Sequence, residues 1–413
     1  MAKKMGRTSL AQAVSAVLLT FASSLPVAGQ SAPPIQGTTT TIPDLKPAGV
    51  LSNLVTAVAP QQSADALVLA TKLAVATTPL PSLSGGFEIK LDPSTGLQVR
   101  TATTFGPSFA ERALTSGEGK VIAGVSFMSS SLERLGSQSY SGLQLFSLNA
   151  AAPANSRSAT ANIKESANTI VIGGRVGVTS KLDIGVSVPI VSLKVDGSTS
   201  LVVGTGSILT FASGSKVGAG VGDVAGIVKY RFYSFGTELP DPGGLAVMAT
   251  IHLPTGDTAS MRGLGVTRTL VSFIASRGQG RFRPHGNVGF EAWNKGLTVS
   301  SDATQGGTVT VRHQLLYAAG LELEAAPKFT ALVDVVGGEV FGGGKLGFQA
   351  DPATPSSSSL AALSQGLTKL MIVPGLKLNL KSKLVLSANA LVTLKDDGLH
   401  ARVTPMAGLD LTF

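Results

Sequence analysis

The chain contains no cysteine, so disulfide staples and thiolate chemistry are both excluded, and an exported fold built from it must be held by its own hydrogen bonds. Charge is scarce: Asp, Glu, Lys and Arg make up 14% of residues, against about 25% in an ordinary soluble domain. Aromatic residues are 5%, with a single Trp, so any interfacial girdle is thin. Long apolar runs are missing as well. Beyond residue 29 no stretch of twenty is continuously apolar, so the mean hydropathy of +0.31 does not come from spanning helices. The net charge is +9, but its basic residues are scattered. With no basic stripe interleaved with aromatics, nucleic-acid binding has no support.

What is present is glycine, 49 of 413 residues, well above the usual ~7%, and a start that directs export. Lys3, Lys4 and Arg7 form a basic opening, Leu10 to Leu25 an apolar stretch, and VAG before Gln30 supplies small residues for cleavage. Residues 1–29 therefore read as a secretory signal peptide. A short membrane anchor is the alternative, disfavoured by the Ser, Thr and Gln within the run. Residues 30–83 read as a linker and an amphipathic segment. Pro33, Pro34, Pro43 and Pro47 with a TTTT run suggest extended chain. Leu51, Leu54, Val55 and Val58, then Ala66, Leu67, Ala70 and Leu73, recur at helical spacing, which predicts one or two helices between Val50 and Ala76. Such a segment either docks on the main domain or plugs a lumen.

Residues 84–413 carry a period of two, the mark of strands with one apolar and one mixed face. Fourteen strands are expected: Gly96–Thr104, Lys120–Ser129, Ser141–Leu148, Asn168–Val178, Lys181–Leu193, Asp223–Tyr233, Gly244–Leu253, Val266–Ser276, His285–Trp293, Val311–Ala325, Lys328–Val340, Lys369–Leu380, Lys383–Lys395 and Arg402–Phe413. In Asp223–Tyr233, for example, Val224, Val228, Tyr230 and Phe232 oppose Asp223, Lys229 and Arg231. Alternation alone also fits a soluble sandwich. The connections discriminate. Short ones near residues 179–180, 277–283, 326–328 and 381–382 mostly alternate with long polar ones at 105–119, 149–167, 194–222, 254–265, 294–310 and 341–368. That is the plan of an all-β, up-and-down antiparallel transmembrane barrel of about 12–16 strands, with periplasmic turns and extracellular loops. Closure satisfies every backbone group without an all-apolar span. Tyr230, Phe232, Tyr233 and Phe235 are the best girdle candidates.

The stretches VTSKLDIGVSVPIV, GVGDVAGIVKYRFY, LAVMATIHLPTGD and RPHGNVGFEAW occur in this order, preceded by TTFGPSFAERALTSGEGKVIAGVSF. Together they resemble the outer-membrane barrel transporter family named for phenol meta-pathway degradation, over roughly residues 96–295. The resemblance implies a barrel in the outer membrane and passage of aromatic or other hydrophobic small molecules. It supplies no catalytic residue to transfer.

Catalytic chemistry has little footing. His252, His285, His313 and His400 show no paired metal-ligand spacing, and no nucleophile elbow or Walker loop occurs. No metal or cofactor is expected. The glycines of GAGVGD at Gly218 to Asp223 lead into a strand and read as a loop or narrow strand start. In LPTGD, Pro254 stops a strand, Gly256 permits a turn and Asp257 bonds back to the backbone. His285 and Asn287 share a face, the one place where a lipid hydrolase would be sought, although no serine can be named beside them.

Mixed-face Lys229, Arg231, Glu291, Arg312, Glu322 and Asp334 would point into the lumen if the apolar faces meet lipid. They either line a permeation path or pair among themselves and plug the interior. The chain ends VTPMAGLDLTF, a strand whose Val403, Pro405, Ala407, Leu409, Leu411 and Phe413 face lipid while Thr404, Gly408, Asp410 and Thr412 face the lumen. This strand is the expected closing seam. Its terminal Phe413 resembles the signal by which the barrel-assembly machinery recognises such proteins. The reading is thus an outer-membrane channel or uptake protein in contact with membrane lipid and a small-molecule solute; a structural or surface-interaction barrel is the second reading, and an outer-membrane lipid hydrolase the third.

Overall fold

The structure, a computed structural model, describes residues 46–413 apart from 84–88, 92–97, 101, 205–206, 279, 302–306, 352–353 and 382. The expected signal peptide at 1–29 and the linker as far as residue 45 lie outside the described residues. A closed antiparallel barrel of 12 strands forms the wall. In chain order these are β1 (Val121–Leu132), β2 (Arg157–Gly177), β3 (Leu182–Val203), β4 (Ala225–Ser234), β5 (Gly243–His252), β6 (Arg268–Arg277), β7 (Phe282–Trp293), β8 (Gln314–Ala326), β9 (Phe329–Val340), β10 (Leu367–Lys381), β11 (Leu384–Asp396) and β12 (Val403–Thr412). Each pairs with its sequence neighbours, and β12 pairs back onto β1 from Met406↔Met128 to Thr412↔Ile122. Phe413 completes the seam by donating its N–H to Val121 O at 2.8 Å. No helix of the described residues is long and apolar enough to cross a membrane. The crossings are made by strands.

The period of two is a division between lipid and lumen. Outward positions such as Phe273, Phe290, Leu376 and Leu386 are exposed, while their sequence neighbours are buried. One edge of the apolar belt is legible in the register. Phe127, Ile170 and Ile190 face one another across β1, β2 and β3, and one step further the row becomes Ser129, Asn168 and Ser192. From Ile170 to Val178 the chain rises about 3.3 Å per residue along a strand tilted by about 40°, so the belt is roughly 20 Å tall. That is a little short of the ~25 Å apolar band of an outer-membrane barrel, and the aromatic residues at its other edge extend it. At the other edge Tyr230, Phe232, Tyr233 and Phe235 are all exposed, as the girdle expectation requires.

Three expectations need correction. Gly96–Thr104 is not a wall strand: Gln98–Arg100 pairs with Ile89–Leu91 in a separate two-stranded sheet. The wall therefore begins at Val121 rather than near residue 84. Ser141–Leu148 forms a strand, but outside the wall, between the outer part of β2 and Thr354–Ala362. The supposed long loop at 194–222 is mostly strand: β3 runs on to Val203, and Ser207–Val221 returns along it before β4. Polar outward residues hid this, because beyond the belt the outer face meets water rather than lipid.

Two helices precede the wall, α1 (Pro47–Thr56) and α2 (Gln61–Ala76). Pro47 sits in the first turn of α1, where its missing N–H costs nothing, and Pro60 at the N-cap of α2 separates the two. Leu51, Val55, Leu67 and Ala70 face Leu132, Leu143, Ile163, Leu193, Val195 and Leu360 in one buried apolar core. This core lies at the long-loop end, inside the strand extensions that stand beyond the belt.

Candidate functional site: the stoppered lumen

After α2 the chain runs along the interior through Leu80 and Leu83, and residues 102–119 then fill the half of the lumen nearer the short turns. This segment was expected to be a polar connection between strands. Its residues have no period because it forms no strand, and its backbone must find partners from the surrounding wall.

The inward charges supply them. Asp334 Oδ2 accepts the N–H groups of Ser108, Phe109 and Ala110 at 3.0, 2.9 and 3.3 Å. Glu322 accepts the N–H of Gly106 at 2.9 Å and lies 3.9 Å from Arg112. Lys229 Nζ donates to Leu114 O at 2.8 Å and to Arg112 O at 3.2 Å. Lys377 Nζ donates to Pro107 O at 2.8 Å, and Asp183 receives the Ser116 N–H. The segment's own Glu111 sits between Arg175 at 3.1 Å and Lys229 at 3.4 Å and accepts from Ser82 Oγ. Charge-assisted bonds of this kind are about twice as strong as neutral ones, and exclusion of water makes each costly to break.

One contact depends on a glycine. His285 of β7, Gly320 of β8 and Asp334 of β9 stand in register across three strands. His285 Nε2 meets Asp334 Oδ1 at 3.0 Å across Gly320, where a Cβ would fall 2.5 Å from that ring nitrogen. The second ring nitrogen faces Arg283 O at 3.2 Å. His285 is thus a buried clamp residue, and neither of its described hydrogen bonds reaches a serine hydroxyl.

The far half is held differently. Glu291 accepts from Trp293 Nε1 at 2.7 Å and Gln314 Nε2 at 2.8 Å, with Arg268 at 3.5 Å. Arg268 also donates to Ala76 O at 3.1 Å, and Lys369 Nζ to Thr77 Oγ1 at 2.9 Å. Two cations therefore meet the negative C-terminal end of α2. At the start of α1, Lys46 pairs with Asp257 at 2.8 Å in the 253–267 loop. Asp257 also accepts the Ala259 N–H, the backbone bond expected of LPTGD.

Between the helix end and the 102–119 segment lies a cavity of about 200 Å³. Its lining combines apolar side chains such as Ile227, Met248 and Leu270 with polar and charged ones such as Asn287, Arg268 and Glu291. Of the six lumen candidates, Lys229, Arg231, Glu291, Glu322 and Asp334 are buried on inward faces. Arg231 is a fork to Asp241 in the β4–β5 turn. Arg312 is exposed and precedes β8. His313 adopts a φ of 60°, which breaks the alternation that had carried Arg312 inward. Arg175, Asp183, His285 and Lys377 were missed, although their own strand alternation marks each as inward.

No protein-family model and no curated protein matches the sequence. Among solved structures, an outer membrane channel from Pseudomonas putida F1 aligns at 12% identity and a TM-score of 0.45, over 73% of this chain and 98% of that one. The toluene transporter TbuX of Ralstonia pickettii aligns at 13% identity and a TM-score of 0.33, over 82% and 99%.

Proposed function

We propose that the chain is an outer-membrane uptake channel for small hydrophobic compounds, aromatic ones included, closed at rest by its own residues 46–83 and 102–119. The observation that carries this is the cavity, largely apolar in surface with charged groups among its lining, surrounded by a continuous wall between two separately held stoppers. A barrel serving only as a scaffold has no use for such a space, and the lining suits a ligand with an apolar body and few polar groups. The sequence resemblance to the phenol meta-pathway family supports the same reading, since its quoted stretches map to the 102–119 segment and to β1, β3, β4, β5 and β7.

On this reading the short turns face the periplasm and the long hairpins face outward. Phe413, seated at the seam, serves as the assembly signal. Purified protein in a planar bilayer should pass little current until the clamp is cut, and Asp334→Ala should raise conductance severalfold. Absence of flux from both well-folded proteins would sink the channel reading and leave a non-transport barrel. Deleting Phe413 should lower the yield of inserted barrel before it alters conductance, as judged by heat-modifiable gel mobility of membrane fractions.

A further inference from the structure

Glu165 lies on the inner face of β2, three residues past the polar row that ends the lipid belt, and is 1% exposed. Its Oε1 accepts from Tyr140 OH at 2.8 Å and from Thr71 Oγ1 of α2 at 3.2 Å. Its Oε2 is buried with no hydrogen-bond partner. Leu132 and Val195 are its cross-strand neighbours, and the apolar core holding α1 and α2 surrounds it.

No cation answers it among the described ion pairs. On α2, Lys72 is influenced by Asp65 and Asp257, and Asp65 accepts from Gln61. Glu133 pairs with Arg402, and Arg134 donates to Ser137 O. His400 is bonded to Gly398 O. Lys164 and Lys194 are exposed on the outer face, where Asp196 also points. An ionised carboxylate here would place an unpaired charge in an apolar core.

We propose that Glu165 is a proton-operated latch on the helix cap: protonated, it seats α2 in the mouth of the barrel; ionised, it drives α2 from that seat and opens the long-loop end of the lumen. The opening rests on the channel reading above; the latch itself does not.

Burial raises this carboxyl from an ordinary 4.5 to about 7, against the opposing pull of the Tyr140 and Thr71 hydrogen bonds. For a group raised on docking, full stability is present below about pH 4.5, falls as pH rises, and is lost by the time pH passes about 7. At a tenfold change per unit, the docking equilibrium weakens by roughly 70-fold between pH 5 and pH 8.

Hydrogen-exchange protection of residues 61–76, corrected for intrinsic rates, should be followed in the reconstituted full chain from pH 5 to 8, alongside conductance. Wild-type protection should fall by that factor while Glu165→Gln stays protected throughout. Tyr140→Phe, which removes a bond favouring the anion, should move the midpoint to higher pH, an effect that loss of packing alone would not produce. PH-independent protection in the wild type, or a Glu165→Gln profile that follows the wild type, would overturn the latch. Protection that responds as expected while current stays flat would uphold the latch and count against the channel reading.

Discussion

The two halves of the lumen are closed by opposite physics. Near the short turns, residues 102–119 are irregular backbone, held because wall carboxylates take their N–H groups and wall lysines take their carbonyls. Near the long loops, α1 and α2 satisfy their own backbones and are held by apolar packing, with a few cations at the helix end. A polar clamp is directional, so one lost partner leaves several groups unsatisfied together. An apolar seat weakens in proportion to the area removed from it. The first suits a stopper with one position, the second a cap that loosens by degrees.

The comparison is broken most severely by Asp334→Ala, which strands three backbone N–H groups and His285 at once. It should cost on the order of 3–5 kcal/mol of segment docking, with exchange protection lost at 105–112 and kept at 61–76. Next, Leu67→Ala should cost about 2–5 kcal/mol and produce the mirror image, a loosened α2 over an intact clamp, read by the same exchange measurement. Gly320→Ala removes no partner but forces His285 and Asp334 apart, and should cost about 1–3 kcal/mol without touching the cap. Smallest is Asp257→Asn. The Lys46 and Ser260 hydrogen bonds hold the Asp257 carboxyl down at about 2, so its contribution is present above about pH 3.8 and lost as pH falls through 2. The pair with Lys46 is partly exposed, and its loss should cost under about 1 kcal/mol.

The wall was legible because each wall strand meets two solvents: lipid selects one residue in two, and the lumen leaves the other mixed. Twelve of the fourteen expected strands proved to be wall strands for that reason. The same rule failed wherever its second solvent changed. Past the belt the outward residues of β2 and β3 become Lys, Ser, Asn and Asp, so a continuous strand read as loop. The 102–119 segment is enclosed by the wall except at Glu118 and Gly119, so Phe105, Phe109 and Ala113 are buried in no pattern. Of the six charges named from sequence, Lys229, Arg231, Glu291, Glu322 and Asp334 are buried. What Lys229, Glu322 and Asp334 hold was not legible, because their partners are largely main-chain atoms of a segment with no strand or helix period of its own.

The stopper also fixes an order of events. Gly119 N–H donates to Gly177 O at 2.8 Å, and β1 begins two residues later at Val121. The segment is thus leashed to the first wall strand, while the seam that closes the wall is made by the last. A finished cylinder would have to admit this leashed segment through one of its ends; a sheet still open between β12 and β1 can simply curl around it. The clamp contacts would then act as a template on which the strands gather, so clamp substitutions should slow barrel closure as well as unblock the pore.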